Sequence, residues 1–210
     1  QFIAENLNDE IVEEMDAHAG AERPRGPSSE VSALFKKIHE RGWLGIAYPK
    51  EYGGQDGDRV SQYIVEEEFH RAGIAITLGG SGAPAILAAG TEEQKQYYIP
   101  RLINREITFC LGFTEPHAGA DLASLRCSAV RDGEDFVING QKMYTTAAHS
   151  ATHIYLMART DRDAKKHDGI SIFIFPMDTP GITVRPLWTI QNNPTAPVGT
   201  TYGASRTNET

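Results

Sequence analysis

The stretch "CLGFTEPHAGADLASLRC", residues 110–127, lies where the chain changes from a helical to a β-strand pattern. Pro116 and Gly119 are unfavourable inside a helix, and the run lacks the two-residue alternation of a half-buried strand. Such residues are typical of a tight loop whose backbone N–H groups bind an acceptor-rich ligand. The alternative is a strand-to-strand connection in which Glu115 and Asp121 hydrogen-bond to loop amides, and the residues alone favour it.

The residues before this stretch predict helices. "SSEVSALFKKIHERG" has the i, i+3, i+4, i+7 spacing of one helix face, with a serine at 28 or 29 as N-cap and Gly42 after its last turn. "TEEQKQYY" has the capping-box spacing between Thr91 and Gln94, and we expect Pro100 to limit that helix. The expected apolar faces are Val31, Leu34, Phe35 and Ile38 in the first helix, and Val60, Ile64, Val65 and Phe69 in a further helix, "DRVSQYIVEEEFHRAG".

Two segments between these helices are rich in glycine. "GWLGIAYPKEYGGQDG" is expected to be a packed loop with Trp43, Leu44 and Ile46 turned inward. "IAITLGGSGAPAILAAG", residues 74–90, contains mostly small side chains. We expect a buried helix there, against which a neighbour packs closely.

After about residue 106 the pattern changes to short β-strands. "EITFCLGF", "HIYLMART", "GISIFIFPMD" and "GITVRPLW" are rich in β-branched and aromatic residues. Turn signals occur at Asp132-Gly133 and Asn139-Gly140. Antiparallel strands at this spacing are typical of a small barrel or sandwich. The expected fold is therefore α+β, with an all-α domain over residues 1–106 and an antiparallel β-barrel or sandwich domain over residues 107–210.

The composition is that of a soluble globular protein. Of 210 residues, 40% are hydrophobic and 23% charged, and the net charge is −8. No basic cluster is longer than "KK" and no apolar run approaches the ~20 residues of a membrane span, so neither nucleic acid nor a membrane span is expected. Cys110 and Cys127 are expected to be reduced core residues, with a disulfide between them as the alternative. The chain begins with Gln1 rather than Met, so the lack of a signal peptide carries little weight.

Several chemistries have no matching motif. The chain contains no GxxxxGK[ST], GxGxxG or GxSxG string in a suitable context, which excludes common nucleotide folds and the nucleophile elbow. His149 and His153 stand four apart without a third ligand, and Glu67 and His70 form a single ExxH pair. We therefore expect no metal.

Four motifs together resemble the acyl-CoA dehydrogenase family. "GWLGIAYPKEYGGQ", "GTEEQKQYYIPRLINREITFCLGFTEPHAGADLASL", "DFVINGQKMYTT" and "DTPGITV" look like its successive motifs, and the second and third are the specific ones. The resemblance runs from about residue 28 to the end. It implies an N-terminal helical domain, a middle β-barrel and a C-terminal helical bundle, of which this chain holds the first two. It also implies FAD against the barrel, with acyl-CoA between barrel and bundle.

The resemblance assigns cofactor contacts to two segments. The strand and loop from Leu111 to Ala120 would contact the flavin, with a hydrogen bond from Thr114 to its pyrimidine end. The triplet at residues 144–146 matches one that covers the isoalloxazine ring and presents a hydroxyl towards N5. The implied cofactor-binding residues are Leu111, Phe113, Thr114, Gly119, Ala120, Tyr144, Thr145 and Thr146, and Ala120 would also lie near the substrate.

Three positions depart from the family pattern. Ala120 replaces a Ser or Thr whose hydroxyl would lie near the thioester or pantetheine, so one substrate hydrogen bond is absent. His117 stands where glycine is common, and Tyr144 replaces tryptophan. These departures point to an atypical acyl group, a subunit that supplies only part of a site, or drift.

The implied reaction is α,β-dehydrogenation of an acyl-CoA to a trans-2-enoyl-CoA. A glutamate removes the α-proton while the β-hydride passes to flavin N5. No catalytic residue is assigned within the chain: the base is expected beyond residue 210, with Glu115 supporting the loop. The 210 residues alone are expected neither to hold FAD firmly nor to turn over substrate.

The resemblance also implies partners. These are acyl-CoA, an electron-transfer flavoprotein or equivalent acceptor, and further subunits of a homo- or hetero-oligomer, either a dimer or a tetramer. The implied pathway is fatty acid β-oxidation, and the implied compartment is the bacterial cytoplasm or the mitochondrial matrix. The segment from Ile74 to Ala89 is the candidate for lining the acyl tunnel. Two alternatives stay open: a flavin oxidase or monooxygenase of the same superfamily, and a non-catalytic partner subunit.

Overall fold

The computed structural model describes residues 1–16, 28–76, 78, 80–187 and 202–207. The chain divides into two compact units, one made of the described residues up to Thr108 and the other of those from Phe109 onward. The first unit contains helices and turns, and the second contains all the described strands. This order of a helical part followed by a sheet confirms the fold class expected from the sequence.

The helices of the first unit begin where their capping residues predict. The hydroxyl of Ser28 accepts the Val31 N–H at 3.2 Å, and the four predicted apolar positions of that helix are buried. Thr91 and Gln94 form a complete capping box. The described helices are α1 Phe2–Asn6, α2 Asp9–Asp16, α3 Ser29–Glu40, α4 Arg59–Arg71, α5 Gly82–Ala89 and α6 Glu92–Ile103, with a 3-10 turn at Lys50–Tyr52.

Helix α6 does not stop at Pro100, contrary to the prediction. It continues to Ile103, because Leu102 and Ile103 are buried and the Asn104 N–H still donates to the Pro100 carbonyl at 2.9 Å. Proline deprives only the carbonyl four residues earlier of its donor, and Gln96 at that position is exposed to water.

The apolar face predicted for α4 is only partly buried. Phe69 is buried and packs edge-on against Trp43, with 5.9 Å between the ring centroids. Val60 and Ile64 are 66% and 55% exposed, because no described residue covers that side of the helix. Of the three inward residues predicted in the following loop motif, Leu44 is buried, while Trp43 and Ile46 are half-buried.

The small-residue segment is helical only in its second half. Helix α5 covers Gly82–Ala89, whereas Ile74 and Ile76 are buried outside any helix. Gly80 has a φ of +53°, which a right-handed helix excludes. Thr77 and Gly79 lie outside the described residues, and the acyl-tunnel role of the segment stays a prediction.

The second unit has seven described strands. They are β1 Phe109–Gly112, β2 Ser128–Asp132, β3 Asp135–Gln141, β4 His153–Arg159, β5 Ile170–Pro176, β6 Ile182–Pro186 and β7 Tyr202–Thr207. Their order is β1-β4-β2-β3-β7-β6, with β5 also paired to β4. One face of this sheet forms a core that includes Cys110, Cys127, Ile154 and Leu156, and the two cysteines are buried and not joined by a disulfide, as predicted.

Strand β4 has a partner strand on each of its edges. β5 pairs antiparallel with it along its whole length and so occupies one edge. On the other edge, β1 ends with Gly112 opposite Leu156, and β2 begins with Ser128 opposite Arg159. Residues 113–127 therefore leave and rejoin the same edge within three positions, which forces them outward as a loop. Both pairings are parallel, so the sheet is mixed rather than antiparallel throughout.

The two predicted turn signals have different outcomes. Asp132-Gly133 lies at the predicted hairpin between β2 and β3, with Gly133 at a φ of +62°. Asn139-Gly140 lies inside β3, so that turn prediction is wrong. A Cβ on Gly140 would lie 2.7 Å from the Cys127 Cα. Glycine at this position therefore allows the two backbones to approach each other closely.

No described helix has the length and apolar character needed to cross a membrane.

Replacing Thr91 with alanine tests the capping box. The variant loses the oxygen that accepts the Gln94 N–H, and we expect the free energy of unfolding to fall by about 1 kcal/mol in chemical denaturation. Ser81→Ala is the matched control, since Ser81 is the N-cap of α5 without a side-chain capping bond and should cost much less. Equal losses in the two variants would contradict the role of the capping box.

Candidate functional site

The loop of residues 113–127 is held by hydrogen bonds within itself and to the sheet. The Glu115 N–H donates to the Ala118 carbonyl at 2.9 Å, and the Ala118 N–H donates back to the Glu115 carbonyl at 3.2 Å. In the second half of the loop, the guanidinium of Arg159 on β4 donates to the Ala123 carbonyl at 2.6 Å. The loop is thus an ordered element of the second unit.

The Glu115 carboxylate lies at the centre of these contacts and is buried. Its Oε1 accepts the Cys127 N–H at 2.9 Å and the Lys142 ammonium at 2.9 Å, while its Oε2 accepts the Arg126 N–H at 2.7 Å. The His117 Nε2 lies 3.3 Å from Oε2. One carboxylate therefore joins the start of the loop, its end and the residue that follows β3.

Burial and hydrogen bonding act in opposite directions on Glu115. Burial raises the pKa of its carboxyl, but the hydrogen bonds from Lys142 and from the N–H groups of Arg126 and Cys127 outweigh this, so the pKa lies below its ordinary value. Glu115 is consequently ionised at neutral pH and forms a buried ion pair with Lys142.

The segment after β3 lies directly beside the start of the loop. The Met143 N–H donates to the Thr114 carbonyl at 2.8 Å, and the Lys142 ammonium also donates to the Phe113 carbonyl at 3.1 Å. These bonds bring together the two segments for which the family resemblance predicts cofactor contacts.

The triplet at residues 144–146 has an unusual backbone and uneven burial. Tyr144 has a φ of +55° and a 59% exposed side chain, and Ala147 has a φ of +62°. Left-handed backbone at such residues costs about 1 kcal/mol or more and concentrates at ligand sites. Thr145 is fully buried and its hydroxyl has no partner among the described residues, whereas Thr146 is exposed.

The other predicted contacts occupy different parts of the loop. Leu111 lies half-buried in β1, and the Phe113 ring packs against Tyr155 of β4 with 5.8 Å between centroids. Gly119 and Ala120 are exposed, and a Cβ on Gly119 would lie 4.0 Å from the Thr114 methyl. The structure thus places Gly119 beside Thr114, and no hydrogen bond among the described residues joins Ala120 to the triplet.

Two residues that organise the site were missed from the sequence. Lys142 and Arg159 each donate to backbone carbonyls of the loop, and Lys142 is 1% exposed. The only sequence feature that could have indicated Lys142 is its position as a single charged residue between β3 and the triplet at residues 144–146. Arg159 gave no signal, because it is an ordinary charged residue at a strand end.

No group of three or more metal-ligating side chains occurs among the described residues.

Comparison with known proteins assigns the chain to a family. The model of the acyl-CoA dehydrogenase N-terminal domain matches residues 1–106, and the model of the acyl-CoA dehydrogenase middle domain matches residues 110–201. The chain belongs to the acyl-CoA dehydrogenase family. The resemblance inferred from the four sequence motifs is therefore confirmed.

Individual proteins and solved structures are similar to most of the chain. The acyl-CoA dehydrogenase FadE29 of Mycobacterium tuberculosis is 44% identical over 158 residues, which are 74% of this chain and 41% of that protein. The solved structure of the Tcur3481-Tcur3483 steroid ACAD is 38% identical with a TM-score of 0.80, covering 99% of this chain and 51% of that one. The ChsE4-ChsE5 complex of M. tuberculosis is 33% identical with a TM-score of 0.79, covering 98% and 50%. The chain spans about half the length of the relatives it matches or less.

Replacing Thr145 with valine tests the buried hydroxyl. Valine has nearly the same shape and removes a polar group that no described residue satisfies, so we expect the free energy of unfolding to rise by about 1 kcal/mol without added flavin. Thr146→Val, at the neighbouring exposed position, should change it by less than about 0.5 kcal/mol. A loss of stability in Thr145→Val would show that the hydroxyl has a partner.

The low pKa of Glu115 predicts a specific acid sensitivity. Because the folded-state pKa lies below the unfolded value of about 4.3, the ionised carboxylate stabilises the fold above that value, and the stabilisation is lost as the pH falls through the folded pKa. We expect the unfolding free energy of Glu115→Gln to depend less on pH below about 4.3 than that of the wild type. Glu134→Gln, whose side chain is 97% exposed, should follow the wild type, and parallel curves for all three proteins would contradict the prediction.

Proposed function

We propose that this chain supplies the cofactor-contacting part of an FAD-dependent acyl-CoA dehydrogenase, which converts an acyl-CoA thioester to a trans-2-enoyl-CoA. The observation that carries the proposal is the hydrogen bond from the Met143 N–H to the Thr114 carbonyl. It joins two segments, separated in sequence, that the family resemblance assigns to the flavin. Both lie within the part of the chain matched by the middle-domain model.

The donors in these segments fit a flavin. The N–H groups of Thr114, Gly119 and Ala120 have no acceptor among the described residues, and the ring nitrogens and carbonyl oxygens of a flavin accept such bonds. Gly119 has no side chain, and even a Cβ there would lie 4.0 Å from the Thr114 methyl, so the space beside Thr114 is open. The exposed Tyr144 ring offers an aromatic surface for a planar cofactor.

Each of these residues has a role in the proposed reaction. FAD, when bound, supplies an acceptor for the hydride that leaves the substrate β-carbon. Thr114 and the loop amides would orient it and stabilise negative charge on its pyrimidine end. Tyr144 would cover the ring and exclude water, and the exposed Thr146 would donate its hydroxyl. Leu111 and Phe113 would contribute backbone contacts, since the Phe113 ring already packs on Tyr155.

Glu115 is not suited to be the base. Both of its oxygens already accept hydrogen bonds, and its low pKa makes it a weak proton acceptor. We therefore assign abstraction of the α-proton to a glutamate in a part of the protein outside this chain. Ala120, without a hydroxyl, would lie near the thioester and leave one substrate contact unmade.

Two further aspects follow from the relatives. Similarity to a steroid ACAD makes a bulky acyl-CoA a candidate substrate, in keeping with the atypical residues at 117, 120 and 144. Similarity to the ChsE4-ChsE5 complex favours a subunit of a hetero-oligomer as the second candidate role. An electron-transfer flavoprotein would reoxidise the enzyme, in the bacterial cytoplasm or the mitochondrial matrix.

The proposal is tested with the full-length protein. We expect it to purify with stoichiometric FAD and to lose the visible absorbance of oxidised flavin when a suitable acyl-CoA is added without oxygen. Slow reoxidation in air and fast reoxidation by an electron-transfer flavoprotein would identify a dehydrogenase, and fast reoxidation in air an oxidase.

The controls separate the two candidate roles. The matching enoyl-CoA should not bleach the flavin, and the 210-residue chain alone should be inactive. A full-length protein that binds FAD only together with a partner chain supports the hetero-oligomeric subunit. Absence of flavin both alone and with partner chains would contradict the proposed function.

A further inference from the structure

Glu115 and Lys142 form a buried ion pair whose charges the proposed reaction does not use. Each side chain is 1% exposed, and the two charged atoms are 2.9 Å apart. A buried ion pair stabilises a fold little better than well-packed apolar residues of similar volume. We propose that Glu115 and Lys142 are positioning residues that hold the two flavin-contacting segments in register, a role that rests on the proposed function.

Lys142 joins the end of β3 to the loop. Its ammonium donates to the Phe113 carbonyl at 3.1 Å and to the Glu115 carboxylate, and the next residue, Met143, donates its N–H to the Thr114 carbonyl. Three consecutive loop positions are thus bound by two consecutive positions after β3. A shift of either segment by one residue would break all three bonds.

The same bonds orient the peptide group between Phe113 and Thr114. Its carbonyl faces the Lys142 ammonium, and in a trans peptide the N–H points to the opposite side. The Thr114 N–H, which has no acceptor among the described residues, is therefore directed away from the ion pair. In this way a buried charge determines the direction of a backbone donor at the proposed flavin site.

Glu115 extends this control to the far end of the loop. Its carboxylate accepts the N–H groups of Arg126 and Cys127, which lie directly before β2. The two ends of the loop and the residue after β3 consequently meet at one side chain. Removing the charge would free the loop ends without altering any proposed flavin contact directly.

The experiment uses a double variant of the full-length protein, Glu115→Gln with Lys142→Met. Both substitutions keep the approximate side-chain size and remove both charges together, so no buried charge is left unpaired. We expect apo protein that unfolds near the wild-type temperature but binds FAD with a Kd at least about tenfold higher. The visible circular dichroism of the bound flavin should also change, because its donors are displaced.

The control is Lys166→Met, which removes the lysine of an exposed ion pair with Asp121 in the same loop. It should leave both the Kd and the flavin spectrum unchanged. A folded double variant with wild-type Kd and spectrum would overturn the proposal. If the double variant does not fold, Lys142→Arg is the deciding variant. The planar guanidinium cannot reproduce both contacts of the ammonium group, so we expect weaker FAD binding. An unchanged Kd would overturn the proposal.

A second measurement does not depend on flavin. Hydrogen exchange in apo protein should show faster exchange of the Met143, Arg126 and Cys127 amides in the variant than in the wild type. Unchanged exchange would refute the positioning role even if the wild type bound no FAD. Failure of the wild type to bind FAD, with the expected change in exchange, would instead reject the proposed function and leave the structural coupling in place.

Discussion

The position of the loop in the second unit depends on how three strands, β1, β2 and β5, share the two edges of β4. Because β5 occupies one edge completely, β1 and β2 must both use the other, where their nearest partners on β4, Leu156 and Arg159, are only three positions apart. The intervening residues 113–127 cannot continue the ladder and must project from the sheet. A sheet that would otherwise have a regular edge thus acquires an ordered loop at a defined place.

A loop projected in this way has many backbone groups that lack ladder partners. A buried unpaired amide or carbonyl costs free energy, so such groups are expected to find side-chain partners. The Glu115 carboxylate supplies acceptors for two amides, and Lys142 and Arg159 supply donors for carbonyls. The charge of Glu115 is itself compensated by Lys142, which allows both to be buried. The proposed flavin donors are the loop amides that remain after these internal bonds are made.

The sequence predictions are accurate where the interactions are local in the chain and fail where they join residues distant in sequence. The capping box at Thr91 and the buried face of α3 involve residues within two helical turns, and both are confirmed. Pro100 was wrongly expected to end α6, since burial of Leu102 and Ile103 outweighs the loss of one hydrogen bond. Asn139-Gly140 has the composition of a hairpin turn, yet Gly140 is required by the approach of Cys127, which no local rule contains.

The sequence by itself determined the order of a helical and a sheet domain, the family and the position of the loop. These depend on local periodicity and on two residues that disfavour a helix wherever they occur: Pro116 fixes its φ and lacks an N–H, and Gly119 costs more conformational entropy to order. Only the tertiary structure decided that β1 and β2 pair parallel with β4 and that Lys142 meets Glu115 across 27 positions of chain. Those contacts depend on which strands are neighbours in space, and a lysine after a strand has the same appearance in sequence whether it faces water or a buried carboxylate.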